Sequence, residues 1–179
     1  MPRPHKRKLR SESKMTDAVE RHLTSKAKVI VGREVKLGRG RLDLVAYDKN
    51  TKVFKIIECK LHSGPTNTAK TFGQALGYFT DLEGLAVEFL DSTSRKLEKM
   101  RFGRWWEATD RGREIKVAVY VALTHKACMQ PEFPALRAQF PQIGVIRVKP
   151  NGSCRNALRR RDGAPNSKGA EALPKTIRL

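Results

Sequence analysis

From residue 15 to residue 148 the apolar positions follow two rhythms, recurring every third or fourth residue in some stretches and alternating or running continuously in others. "MTDAVERHLTSK" sets Val19 and Leu23 on one helical face, with Thr16 as a candidate N-cap. "AKVIVGREVKL" and "GRLDLVAYD" read as strands joined in a hairpin at Gly38 to Gly40. "DKNTK" has the composition of a second turn, and "VFKIIECKL" that of a third strand. Helical spacing returns in "TAKTFGQALGYFTDLEGL" through Phe72, Leu76 and Phe79. "IKVAVYVALT" is a continuous apolar run bounded by charge, the pattern of a strand covered on both faces. A short helix, "PEFPALRAQF", and a last strand, "IGVIRVK", complete the series. The order is α, β, β, β, α, insertion, β, α, β, which predicts an α/β fold with a mixed central sheet flanked by helices.

Around that core, residues 1–14 read as a basic disordered arm, residues 84–113 as a basic insertion carrying Trp105 and Trp106, and residues 149–179 as a basic flexible tail in which "LPKTIRL" has the makings of a short docked strand. Residues 15–148 then form one domain, which the 39% hydrophobic content is enough to fill. Composition adds one strong fact. Lys and Arg total 37 against 18 Asp and Glu, a formal charge of +19. That much charge of one sign opposes compaction, so a polyanionic partner is implied, and nucleic acid fits because phosphate neutralisation releases counterions. No long apolar run, signal-peptide pattern or clean basic amphipathic face points to a membrane, so a cytoplasmic, nucleic-acid-associated protein is expected. The three cysteines, Cys59, Cys128 and Cys154, have no C-x-x-C spacing and read as reduced thiols.

Against this background the charges inside "GRGRLDLVAYDKNTKVFKIIECKL" stand out, because a charged group inside an apolar strand is costly unless paired, solvated or metal-bound. Alternation puts Glu58 and Lys60 on one face of the third strand and Cys59 on the other. If the two strands pair about a turn centred near residues 50 and 51, Asp43 falls opposite about residue 58. Two carboxylates and a lysine converging at a sheet end suit metal-assisted phosphodiester hydrolysis, since Mg²⁺ is a hard ion held by one or two carboxylates together with phosphate and water.

Asp43 followed by the triplet Glu58, Cys59 and Lys60 on the next strand resembles the motif of the PD-(D/E)xK nuclease superfamily, the restriction-endonuclease-like fold that includes Holliday junction resolvases and RecB-like nucleases. Its αβββαβ core is the order read above. The resemblance implies Asp43, Glu58 and the backbone carbonyl of Cys59 as metal ligands, Lys60 as catalytic lysine, and Glu20 on the first helix as a further acid of the site. It also assigns a role beside the substrate to Gln74 and Tyr78, which match the Gln-x-x-x-Tyr pattern of RecB-like members. Leu42 stands where the family often has proline. Mg²⁺ is the cofactor implied, with Mn²⁺ able to satisfy the same oxygens. DNA is the expected substrate with RNA left open, and a homodimer or a larger protein complex is the expected assembly.

Plainer readings stand beside these. The Asp43, Glu58 and Lys60 group would also serve as a solvated salt-bridged edge, and Glu20, Gln74 and Tyr78 as ordinary helix surface. Gly73 and Gly77 are read as bringing their helix close to the sheet, and His62 as structural or solvated. Candidate phosphate or base contacts are Arg39, Arg41, Lys70, Arg101, Arg104, Trp105, His125, Lys126, Arg159, Arg160 and Arg161. Three activities compete: an endonuclease directed by DNA structure or a partner, an end-processing exonuclease, and a non-catalytic nucleic-acid binder on a nuclease-like fold.

Overall fold

The computed structural model describes Leu9 and residues 11–26, 28–37, 40–62, 64–81, 114–156 and 172–178. The expected insertion with its Trp pair lies outside these residues, as do Arg39, Arg101, Arg104, Trp105 and Arg159 to Arg161. The chain runs α1 (Glu12–Ser25), β1 (Lys28–Leu37), β2 (Gly40–Asp48) and β3 (Val53–Lys60), followed by a helix, α2, through residues 65–81. Beyond the insertion come β4 (Glu114–Thr124), α3 (His125–Cys128), α4 (Phe133–Gln139), β5 (Gly144–Val148), β6 (Cys154–Asn156) and β7 (Lys175–Arg178).

The strands form one sheet in the order β1-β2-β3-β4-β5-β6, with β7 paired to β4 off that path. β1, β2 and β3 make an antiparallel meander, whereas β3, β4 and β5 are parallel. A parallel step needs a crossover, and α2 supplies the one between β3 and β4. The element order of the first six elements, α1 to β4, is the αβββαβ core implied by the resemblance, on a mixed sheet flanked by helices.

Alternation along the strands sorts the apolar residues into two cores. One face of the sheet, with Val45, Phe54, Ile56, Val119, Val121 and Leu123, packs on α2, α3 and α4. Phe72 of α2 is fully buried there and stacks on Phe140 with ring centroids 5.5 Å apart, joining α2 to the end of α4. The opposite face, with Leu44, Ile57, Cys59, Ala122 and Ile146, packs on Met15, Ala18, Val19 and Leu23 of α1. β3 is an interior strand, so it must be apolar on both sides, and Glu58 at 1% exposure is an exception to that requirement.

Several boundaries differ from the sequence reading. α1 is capped by Ser11, whose hydroxyl accepts the Lys14 N–H at 3.3 Å, and not by Thr16, whose hydroxyl donates to the Glu12 carbonyl at 3.0 Å. The helix therefore starts one turn early, inside the segment read as an arm, and Leu9 packs against the second core. The segment read as a flexible tail holds two strands, because the turn at Gly152 (φ 80°) folds β6 back on β5 and the first half of β4 offers β7 an edge that β5 does not cover. Gly73 and Gly77 do not bring α2 closer to the sheet: a Cβ at either would meet nothing within 4 Å.

Gly144 is where small size is required. A Cβ there would lie 2.3 Å from Tyr120 Cδ1 and 2.8 Å from the backbone nitrogen of Ala172, wedging β5 away from β4 and from the docked C-terminal segment. Gly144→Ala is expected to cost about 1–3 kcal/mol, the usual range for overpacking. An unchanged urea midpoint would show that the 172–178 segment does not hold this position.

Candidate active site

β2 and β3 pair regularly from Asp48↔Val53 to Leu44↔Ile57, and there the pairing stops. The next backbone donor, the N–H of Cys59, is taken by Asp43 Oδ2 at 2.7 Å. A side-chain carboxylate has replaced a ladder acceptor where the strands part. This fixes Asp43 beside the next residue of the register, Glu58. In a strand paired this way one residue presents its N–H and C=O to the same neighbour, so the Cys59 carbonyl also faces the side of Asp43. The Cys59 thiol is buried on the α1 face, where burial pushes it up to about 12, leaving it no part in the chemistry of the site.

Lys60 Nζ lies 3.0 Å from Glu58 Oε1, while Glu58 Oε2 is buried with no hydrogen-bond partner. Burial raises the carboxyl of Glu58 above its ordinary range, the nearby Asp43 charge raises it further, and Lys60 opposes both. Asp43 is raised as well, chiefly by burial, against the Cys59 N–H and Lys60. For Lys60, burial works to lower the ammonium, but the hydrogen bond to Glu58 and the charges of Glu58, Asp43 and Glu12 outweigh it and hold it above the usual value. Two carboxylates thus share one end of the sheet with a single close lysine.

The acid that α1 brings to this end is Glu12. Its carboxylate stands 3.9 Å from Lys60 Nζ and 4.0 Å from His62 Nε2. Glu20 is instead bound to Arg33, whose Nε donates to Glu20 Oε2 at 2.6 Å and whose NH2 meets Asp17. The structure thus sets Glu20 against Arg33 and Glu12 near Lys60. Ser11 starts the helix early enough for its first turn to reach the site, whereas Glu20 lies two turns further along beside β1. A Ser11-first cap was the signal available in the sequence. A second acid that pattern did not suggest is Glu34, at φ 47° in β1; its charge also raises Asp43, while Arg41 pairs with it at 3.3 Å.

On α2, Gln74 Nε2 donates to Tyr78 Oη at 2.8 Å, and Tyr78 donates to the carbonyl of Arg41 at 3.1 Å. Tyr78 is raised, first by burial and also by the charges of Glu58 and Asp43, which puts it at the edge of the site. The pair anchors α2 to β2 two residues before Asp43. Lys70 is exposed on the same helix. His62 is exposed next to Glu12; His125, with a buried Nδ1 lacking a partner, and exposed Lys126 follow β4.

The donor set suits a hard divalent ion. An unpartnered buried carboxylate oxygen, a neighbouring carboxylate and a carbonyl facing the same way are oxygen ligands whose mutual repulsion a cation would relieve. Among the described residues no group of three or more His, Cys, Asp or Glu stands ready to hold a metal, so the side-chain ligands of such an ion would be the two carboxylates.

No protein-family model and no curated protein matches this chain. Solved structures do. An fdxN element excision controlling factor protein from Anabaena variabilis is 14% identical, with 80% of this chain and 96% of that chain covered and a TM-score of 0.44. An EndoMS–dsDNA complex is 10% identical, covers 75% of this chain and 44% of that one, and has a TM-score of 0.36. SfsA of Pyrococcus furiosus with Ca²⁺ is 10% identical, with 80% and 60% covered and a TM-score of 0.34. Among the described residues no helix is long and apolar enough to cross a membrane.

The raised carboxyl of Glu58 has a thermodynamic consequence. A carboxyl raised on folding favours the folded state most below its unfolded value, about 4.3, and that contribution is lost as pH rises through the folded value. Glu58→Gln should therefore melt higher than wild type at pH 7 in EDTA, with the difference shrinking towards pH 3.5. Equal melting temperatures across this range would show that Glu58 is not destabilised by its surroundings.

Proposed function

We propose that the protein is a metal-dependent nuclease of the PD-(D/E)xK type that hydrolyses phosphodiester bonds in DNA, acting as an endonuclease directed by DNA structure or by a partner. The observation that carries this reading is the convergence of Asp43, Glu58 and Lys60 at one end of a buried interior strand, with one Glu58 oxygen left without a partner.

Asp43, Glu58 and the Cys59 carbonyl would hold Mg²⁺ or Mn²⁺. Such an ion, when bound, supplies a Lewis acid at the scissile phosphate and a water of lowered pKa. The residues of this chain do the rest. Lys60, kept as an ammonium by Glu58, Asp43 and Glu12, meets the negative charge that develops on phosphate oxygens. Glu12 holds Lys60 from the α1 side. Tyr78 has its hydroxyl committed to Arg41 and Gln74, so it acts as a positioning residue that sets α2 against β2. The Gln74 and Tyr78 pair also supports the second reading, an end-processing exonuclease, which a requirement for free ends would separate from the first.

The test is cleavage of linear duplex, single strand, closed circle, four-way junction and RNA with Mg²⁺ or Mn²⁺. Lys60→Ala and Asp43→Asn are expected to lose at least ~100-fold in rate, the range in which a positioned proton-transfer or charge-stabilising group acts. Binding without cutting of any substrate would leave the third reading, a nucleic-acid binder.

Replacement of the two α1 acids separates their roles. Glu12→Gln should slow cleavage and Glu20→Gln should leave it unchanged, with any loss in the second confined to thermal stability. The reverse ranking would restore Glu20 to the site.

A further inference from the structure

One row of the sheet runs across four strands at the level of the proposed site. Lys60 of β3 is in register with Leu123 of β4, Leu123 with Arg147 of β5, and Arg147 with Arg155 of β6. Alternation sets Lys60, Leu123 and Arg147 on the Glu58 face, because Ile56, four residues back on β3, and Val121 and Val145, two residues back on β4 and β5, line the core beneath it. Arg147 lowers the nearby Cys128 thiol of α3 through its charge, against a larger effect of burial, which agrees with this direction.

This row is unusual electrostatically. Arg147 and Arg155 stand directly opposite each other on antiparallel strands, where like charges are destabilising. Among the described residues neither has an ion-pair partner. Arg147 Nε is buried without an acceptor, and so is Nδ1 of His125, which follows the adjacent strand. Arginine has no acceptor and no neutral form at ordinary pH, so the pair calls for an acceptor, and an anion would also offset the two like charges.

We propose that Arg147 and Arg155, with His125 beside them, form a phosphate track that carries the nucleic-acid backbone away from the Lys60 end of the sheet. It rests on the nuclease reading only for the direction of the track. Three interstrand steps place Arg155 about 14 Å from Lys60, a span of about four nucleotides at 3.4 Å of axial rise each. The chain's excess of positive charge is then concentrated, in part, along one line leading from the site.

The probe is a labelled 25-base-pair duplex DNA, titrated at several salt concentrations in EDTA so that no cleavage is needed. Arg147→Gln and Arg155→Gln should each make the slope of log affinity against log salt about 1 less negative, and the double variant about 2. Arg147→Lys should restore most of the slope, which separates lost charge from lost folding, and Arg155, being exposed, gives a second variant that folds independently of the core. Lys49→Gln, in the turn at the other end of β2, should leave the slope unchanged. Unchanged slopes in the arginine variants, an equal change in Lys49→Gln, or no duplex binding by wild type would overturn the track. A wild type that binds with these slopes but cuts nothing would remove the nuclease and keep the track; cutting with arginine-independent slopes would do the opposite.

Discussion

The hydrogen bond from the Cys59 N–H to Asp43 Oδ2 is the contact on which the site depends. Where β2 and β3 separate, a backbone donor inside the sheet loses its ladder partner, and a buried orphan of this kind costs about 1–3 kcal/mol. Asp43 supplies the acceptor from its own side chain. The same bond that repairs the sheet holds one carboxylate beside Glu58 and keeps the Cys59 carbonyl directed to the same side. Fold and site are therefore fixed by one interaction, and each constrains the other.

The charges that gather there work against stability. Glu58 and Asp43 are both raised above ordinary carboxylates, chiefly by burial, and each is raised further by acids around it. Lys60 offsets part of this, while Glu12 and Glu34 add to the negative field. A protein selected for stability alone would place an apolar residue at position 58, as it does at Phe54 and Ile56 on the same face. A carboxylate kept at that cost is what the proposed function would account for, since function and local stability conflict at sites.

How much of this was legible depended on which rule governed each element. Strand alternation and the symmetric "DKNTK" turn gave the register, so Asp43 could be set opposite residue 58 from spacing alone; the observed pairing has that register and ends one step short of the match, at Leu44↔Ile57. Local rules thus sufficed for the meander and for the Asp43, Glu58 and Lys60 group. The start of α1 differs from the reading because Thr16 looks like a cap while Ser11 is one, and only hydrogen bonding decides between two hydroxyl residues; Glu20, named from the resemblance, stands beside Arg33, while Glu12 of the first turn stands near Lys60. Long-range pairing was less visible still. β7 and the buried Ala172 are stabilised by partners far away in sequence, so only the apolar character of "LPKTIRL" hinted at that docking, while β6 closes a short hairpin on β5 with three residues, too few to show a period.

A second ion pair in the same sheet shows why the one at Lys60 is read as a site. Lys55 and Asp48, on β3 and β2 at the other end, are also buried, with Nζ 3.4 Å from Oδ2. Lys55 also lies over the Tyr120 ring, 5.2 Å from its centroid. Asp48 uses its other oxygen to accept the Asn50 N–H at 3.2 Å, closing the turn that sets the register. Both oxygens of that carboxylate are engaged by the protein, and the pair is complete. Glu58 has the same kind of lysine partner and greater burial, yet one of its oxygens has no hydrogen-bond partner, at the end of the sheet where Asp43 accepts the Cys59 N–H. Burial and pairing are common to the two; what distinguishes them is that both Asp48 oxygens are engaged by the protein whereas Glu58 Oε2 has no hydrogen-bond partner, and the proposed function rests on that difference.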